Sequence, residues 1–179
     1  MSDCASPDLI SALAAFTEGR RTVPPQRECS AAELERLSAS DGLRHFTVAP
    51  INGYINVVSE PPTSVETKEA EKYLWVIQPA DVPFAPEQCG LGRKCKHTNI
   101  TGGEQAYCGG ELWFQSPDKL YFNGGSGRYP CEHDEELLEA SVRLFISLGF
   151  SVATPPYDED IGSRPRIFKS NAQVNWRSE

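Results

Sequence analysis

Methionine occurs once in the 179 residues, histidine three times, and no run of eighteen apolar residues is present. The first scarcity argues against a soft, adaptable core, because methionine is the side chain that fills irregular gaps. The last argues against a membrane-spanning helix. Basic residues are also short: 17 Lys and Arg against 25 Asp and Glu leave a formal charge of −8. That balance excludes a surface that binds nucleic acid over its whole extent, which would need cations to displace counterions from phosphate. Local basic patches are compatible with it. The stretch MSDCASPDLISALAAF has neither the basic run nor the long apolar segment of a secretory signal, so the expected location is the cytoplasm, or a host cell reached by a specialised route. No internal repeat and no low-complexity tract is evident.

What is there suffices for a core: hydrophobic residues make up 39% of the chain and charged residues 23%. The length fits one ordinary domain. Six cysteines (Cys4, Cys29, Cys89, Cys95, Cys108, Cys131) are an even number. A chain this large and without an export signal needs no staples, so free thiols are expected. Cys89, Cys95, His97, Cys108, Cys131 and His133 are chemically suitable metal ligands, but their spacing matches no standard knuckle, and no metal or cofactor is assigned.

The periodicity predicts an α+β fold with a central, mostly antiparallel sheet, N-terminal helices and a packed C-terminal helix. Ser6-Pro7 starts a helix whose Leu9, Ile10, Leu13 and Phe16 repeat at helical spacing until Gly19. Ser30 and Glu33 form a capping box before Leu34 and Leu37, and Asp41-Gly42 ends that segment. Residues 1–42 are therefore a helical segment packed on the same domain. From Leu43 the period becomes that of strands: LRHFTV, INGYINVV and KYLWVIQ are rich in branched and aromatic residues. SEPPTSVETKE, with two prolines, reads as an exposed connection. ELWF and KLYFN, separated by residues 115–118, read as a hairpin. In HDEELLEASVRLFISLG, acids crowd the first turn, a glycine follows the last apolar position, and Leu137, Leu138, Val142, Phe145 and Leu148 form one stripe. Residues 150–153 return as a strand, which closes a core domain over residues 43–154. Residues 155–179 read as an irregular tail, with Ile167, Phe168 and Trp176 as means of docking.

The chemistry concentrates in CKHTNITGGEQAYCGGELWF, residues 95–114. Arg93, Lys94 and Lys96 place positive charge beside His97 and Thr98, and phosphate is a natural ligand for such a cluster. The glycines of TGG and CGG are suited to sharp turns that expose backbone N–H groups, as at Gly110. Glu111 opens a strand whose next residues are built for burial, and partial desolvation there raises a carboxyl towards the range useful for proton transfer. In SGRY, residues 126–129, Arg128 can fork onto a phosphate while Ser126 or Tyr129 donates a hydrogen bond. Cys108 is a candidate nucleophile with His97 or His133 as its base, against the commoner reading of an inert buried thiol. His45 reads as a sheet residue.

The order KHT, GGE opening a strand, and SGRYP leading into a helix and the strand GFSV resembles a C-terminal domain of bacterial polymorphic toxins and effector-like proteins. The likeness spans residues 96–153; where that pattern carries a second histidine in the serine-glycine turn, this chain has Arg128. The resemblance implies a compact α+β catalytic module with His97, Glu111, Arg128 and Tyr129 as catalytic residues. Lys96, Thr98, Gly110 and Ser126 would then bind substrate.

Three functions follow. A toxin-like or effector-like enzyme would act on a phosphate-containing substrate, best read as metal-independent RNA cleavage, with His97 or Glu111 as base and acid and with Arg128 and Lys96 supplying charge. Transfer of ADP-ribose from a dinucleotide uses a histidine, a tyrosine and a glutamate, although their order here differs. A non-catalytic binding or immunity-like module would use GGE and SGRYP as structural turns, with Arg128 paired to the acidic first turn of the following helix. The expected partners are a nucleotide or RNA, or another protein, and not a membrane.

Overall fold

The computed structural model describes residues 7–156 and 167–179. The Ser6 helix start, Cys4, and the tail from 157 to 166 lie outside the described residues. The fold is α+β. A six-stranded sheet has the order β1-β3-β2-β4-β5-β6, where β1 is Arg44–His45, β2 Tyr73–Ile77, β3 Pro83–Pro86, β4 Cys108–Ser116, β5 Lys119–Asn123 and β6 Ser151–Ala153. Every pairing is antiparallel except β5 with β6. Helices α1 (Pro7–Thr17) and α5 (Glu135–Ser147) cover one face of the sheet, and α2 (Ala31–Leu34), α3 (Val65–Glu69) and α4 (His97–Thr101) lie on the other side. Among the described residues no helix is long and apolar enough to cross a membrane.

β2 shows why the sheet is covered on both faces. All five of its residues are buried, and the two-residue period divides them: Tyr73, Trp75 and Ile77 join the core under α1 and α5, while Leu74 and Val76 join the core under α4. The larger core is aromatic. Phe145 of α5 lies edge-on to Phe46, Trp75, Phe122 and Phe150 at centroid separations of 4.8–6.3 Å. Edge-to-face contacts of this kind add about 0.5–1.5 kcal/mol per pair beyond area burial. α5 is capped by Asp134, whose carboxylate accepts from the Leu137 N–H at 3.0 Å, and Gly149, at φ +93°, turns the chain into β6.

Several expectations need correction. Ile10 is 54% exposed and leaves the α1 stripe to Leu9, Leu13 and Phe16. LRHFTV contributes only the two residues of β1. INGYINVV is not a strand: Ile51 and Ile55 anchor it to the core four residues apart while Tyr54 is 85% exposed, and Gly53 at φ +82° breaks any extended run. The hairpin turn is tighter than the four residues expected, only residues 117–118, with Phe114 facing Leu120 and a register shift before Ser116. The stretch SEPPTSVETKE contains α3, held by a reciprocal cap in which the Ser64 and Thr67 side chains each accept from the other's backbone N–H. The described part of the tail docks. Phe168 meets Trp113 at 5.5 Å, Trp176 meets Tyr121 at 5.1 Å, and Arg177 forks onto Glu139 of α5.

Candidate functional site

The sheet register sets up the site. Glu111 in β4 lies opposite Leu74 on one side and Asn123 on the other, so all three share the face covered by α4. Two glycines before Glu111 make room on that strand. A Cβ on Gly110 would stand 2.0 Å from the Asn123 carbonyl oxygen and 2.6 Å from the Trp75 ring, and one on Gly109 would stand 3.0 Å from the His97 ring. The expected sharp turn at CGG is therefore absent. Both glycines are extended strand, needed because other groups press on them from above. Gly109 donates its N–H to the Tyr129 carbonyl, and the Gly110 carbonyl faces His97 Nε2 at 2.8 Å. Gly102 and Gly103, at φ +68° and +85°, do turn, and they end α4.

Glu111 is held from three directions. Its Oε1 accepts from Asn123 Nδ2 at 3.1 Å, and its Oε2 lies 3.0 Å from Lys72 Nζ and 3.4 Å from Lys68 Nζ. All three charged residues are at most 5% exposed. The expected raised carboxyl is overturned here: burial pushes Glu111 up, but the ammonium charges of Lys72 and Lys68 and the hydrogen bonds outweigh it and hold the group below its ordinary value.

The two lysines differ in their surroundings. Lys72 reaches three carboxylates, Glu111, Glu87 at 3.1 Å and Glu69 at 3.3 Å. Burial acts to lower its pKa, yet the carboxylates raise it to about 12. Lys68 has one carboxylate partner, Glu111, and a cationic neighbour in Lys72. Burial, opposed by Glu111 and reinforced by Lys72, leaves its pKa below the ordinary value. Its backbone is fixed as well, because the Trp113 indole N–H donates to the Lys68 carbonyl at 3.1 Å.

These groups form the floor of a cleft of about 290 Å³. Arg27, Lys68, Lys72, Lys96 and Arg128 supply five basic side chains to its lining, against the carboxylates Glu87 and Glu111, and His97 forms part of the same wall. Lys68 and Lys72 are buried at the bottom, whereas Arg27 and Lys96 are exposed at the rim. In a chain of net charge −8 this is a local reversal of sign.

The structure thus brings His97, Glu111, Arg128 and Lys96 to one cleft and leaves other expected members outside its lining. Tyr129 is fully buried; its hydroxyl donates to the Glu104 carbonyl at 2.6 Å and lies 2.9 Å from Thr101 Oγ1. Ser126 Oγ accepts the backbone N–H groups of Arg128 and Tyr129, which shapes the turn. Thr98 is fully buried, and its Oγ1 has no hydrogen-bond partner among the described residues. Arg128 pairs with Glu33 of α2, not with the first turn of α5 as expected, and its buried Nε is also without a partner among the described residues. Of the basic cluster, Arg93 binds Glu35 at 2.9 Å and Lys94 binds Glu69, which leaves Lys96 for the cleft.

Cys108 is buried with the α5 side of the core, 3.3 Å from Ser141 Oγ, on the sheet face away from Glu111. That placement suits an inert thiol. The five described cysteines are free. His133 is exposed, and His45 pairs with Asp81 at the sheet edge. Lys68, Lys72, Asn123 and Arg27 are functional candidates that the sequence reading did not select; the available signal was a lysine set directly before the all-apolar run YLWVI and another one helical turn earlier. No family model, curated protein or solved structure matches this chain.

Proposed function

We propose that the cleft binds a phosphate-containing substrate, and that the chemistry it serves is phosphodiester cleavage in RNA without a required metal. The observation that carries this reading is the convergence of five basic side chains on one small cleft of an acidic protein, one of them a buried amine of lowered pKa. Arg27, Lys96 and Arg128 would hold the crowded phosphate. Lys68, not Glu111, is the group suited to take the proton of an attacking 2′-hydroxyl: a carboxylate held ionised by the Lys72 ammonium and the Asn123 amide is a weak base, and a lysine shifted towards neutrality is a useful one. Glu111 would orient Lys68, and His97 on the same wall would protonate the leaving oxygen.

An anion-binding module without chemistry is the second reading. It is favoured by the internal bonds that occupy Ser126 and Tyr129. ADP-ribosyl transfer has less behind it, since the Tyr129 hydroxyl is tied to Glu104 and Thr101 and does not face the cleft. The test is cleavage of a labelled single-stranded RNA by the purified protein, with wild type and Lys68→Met compared. Loss of a general base is expected to slow cleavage about 10²–10⁴-fold at unchanged circular dichroism. Phosphate binding with no cleavage by wild type would favour the module, and cleavage retained in Lys68→Met would remove Lys68 from the mechanism.

A further inference from the structure

The pairing of Lys68 and Lys72 points to an activity beyond proton transfer. Two buried amines share one carboxylate oxygen, Glu111 Oε2, at 3.4 and 3.0 Å, while Glu69 and Glu87, the other two carboxylates paired with Lys72, make no ion pair with Lys68. One of the two cations is therefore undercompensated, and by position it is Lys68. The directions of the two pKa shifts agree with that asymmetry, Lys72 up and Lys68 down. A desolvated lysine beside a second cation is the arrangement that turns an ammonium into a nucleophile. Lys68 also lies in the lining of an open cleft rather than in a sealed core, so a small molecule can reach it.

We propose that Lys68 forms an imine with small aldehydes or ketones that carry a phosphate group, the phosphate being held by the rim cations Arg27 and Lys96. The inference rests on the anion-binding part of the function proposed above but not on RNA cleavage. In the step, the neutral Lys68 nitrogen attacks the carbonyl carbon and gives a carbinolamine. The Lys72 ammonium protonates the departing hydroxyl, which leaves as water. The proton shed by the resulting iminium nitrogen returns to Lys72, so that amine and carbonyl become imine and water with no net proton change.

The experiment uses pyridoxal 5′-phosphate and phosphate-free pyridoxal as probes on the full chain at neutral pH. Borohydride then delivers hydride to the imine and fixes it as a secondary amine, and the modified lysines are mapped by peptide mass spectrometry. A lowered pKa leaves a larger share of the amine neutral at a given pH, so Lys68 should be modified faster than the exposed Lys169. The phosphorylated aldehyde should outpace pyridoxal, and inorganic phosphate should slow it. Because the site is read on the wild-type protein, the result does not depend on whether a Lys68 variant folds. Adduct spread over exposed lysines, or absent from Lys68, would overturn the inference. Equal modification by the two aldehydes would overturn the substrate class. A parallel thermal melt in inorganic phosphate separates the two readings: stabilisation with Lys68 unmodified would leave the anion cleft standing and remove only the imine chemistry.

Discussion

Glu69 shows how single residues around the cleft set its pH response. It lies 3.3 Å from Lys72 and also pairs with Lys94. Burial raises its carboxyl, but the hydrogen bond from Lys94 and the charge of Lys72 bring it down from 4.5 to about 2. A carboxyl whose folded pKa lies below its unfolded value contributes stability that is complete above the unfolded value and is lost as pH falls through the folded one. The window is therefore pH 4.5 to about 2. Stability measured by urea unfolding across that window should fall less steeply in Glu69→Gln than in wild type. Parallel curves would contradict the ion-pair account. Glu111 belongs to the same scale. A sequence reading assigns a carboxylate at the edge of a buried strand a raised pKa, because it sees the burial and cannot see that Lys68 and Lys72, some forty residues earlier, fold over it.

At the scale of elements, β4 is the strand that the site depends on, and its glycines are structural necessities. Gly110→Ala would drive a methyl group into the Asn123 carbonyl and the Trp75 ring, both fixed by the sheet. Overpacking of this kind costs typically about 1–3 kcal/mol and sometimes more, and with backbone as the obstacle the upper end is expected in urea unfolding. Gly127→Ala is the comparison, since its nearest neighbour would be Arg27 at 4.0 Å, and a change within about 0.5 kcal/mol is expected there. A Gly110→Ala protein as stable as wild type would mean that β4 and β5 do not approach as described.

The same elements show what the sequence made legible. The capping box at Ser30, the hairpin of β4 and β5, and the Asp134-capped α5 were readable because each signal is local: a cap, a turn, or a stripe within one helix. α3 was hidden because its cap uses Thr67 where the familiar signature has Glu or Gln, inside a run of polar residues. With α3 went Lys68. Tyr129 was legible as a residue near the end of the sheet but not as one turned inward, because its partners Thr101 and Glu104 come from the end of α4 and the turn after it.

At the scale of the molecule, the sign reversal is the central feature. A cleft lined by five basic side chains in a protein of charge −8 focuses field on one small opening while the remaining surface repels polyanions. On the proposed function, such a cleft suits a small phosphate-bearing ligand or a single-stranded end and not a long duplex laid across the surface. The α1 and α5 face, with its aromatic core, supplies the rigidity behind the cleft, and the docked tail ties Arg177 to Glu139 of α5.

The claim that this cleft binds phosphate is tested most directly by thermal melts in a nucleoside monophosphate, against sodium chloride of equal ionic strength. Wild type and an Arg27→Ala, Lys96→Met double variant are compared, since both side chains are exposed and their loss should leave the fold intact. A ligand at a hundred times its Kd stabilises the folded state by about 2.7 kcal/mol, or about 5–10 °C for a chain of this size. The account predicts that rise in wild type and most of it lost in the double variant. Equal melting temperatures with and without nucleotide, or an undiminished rise in the double variant, would contradict it.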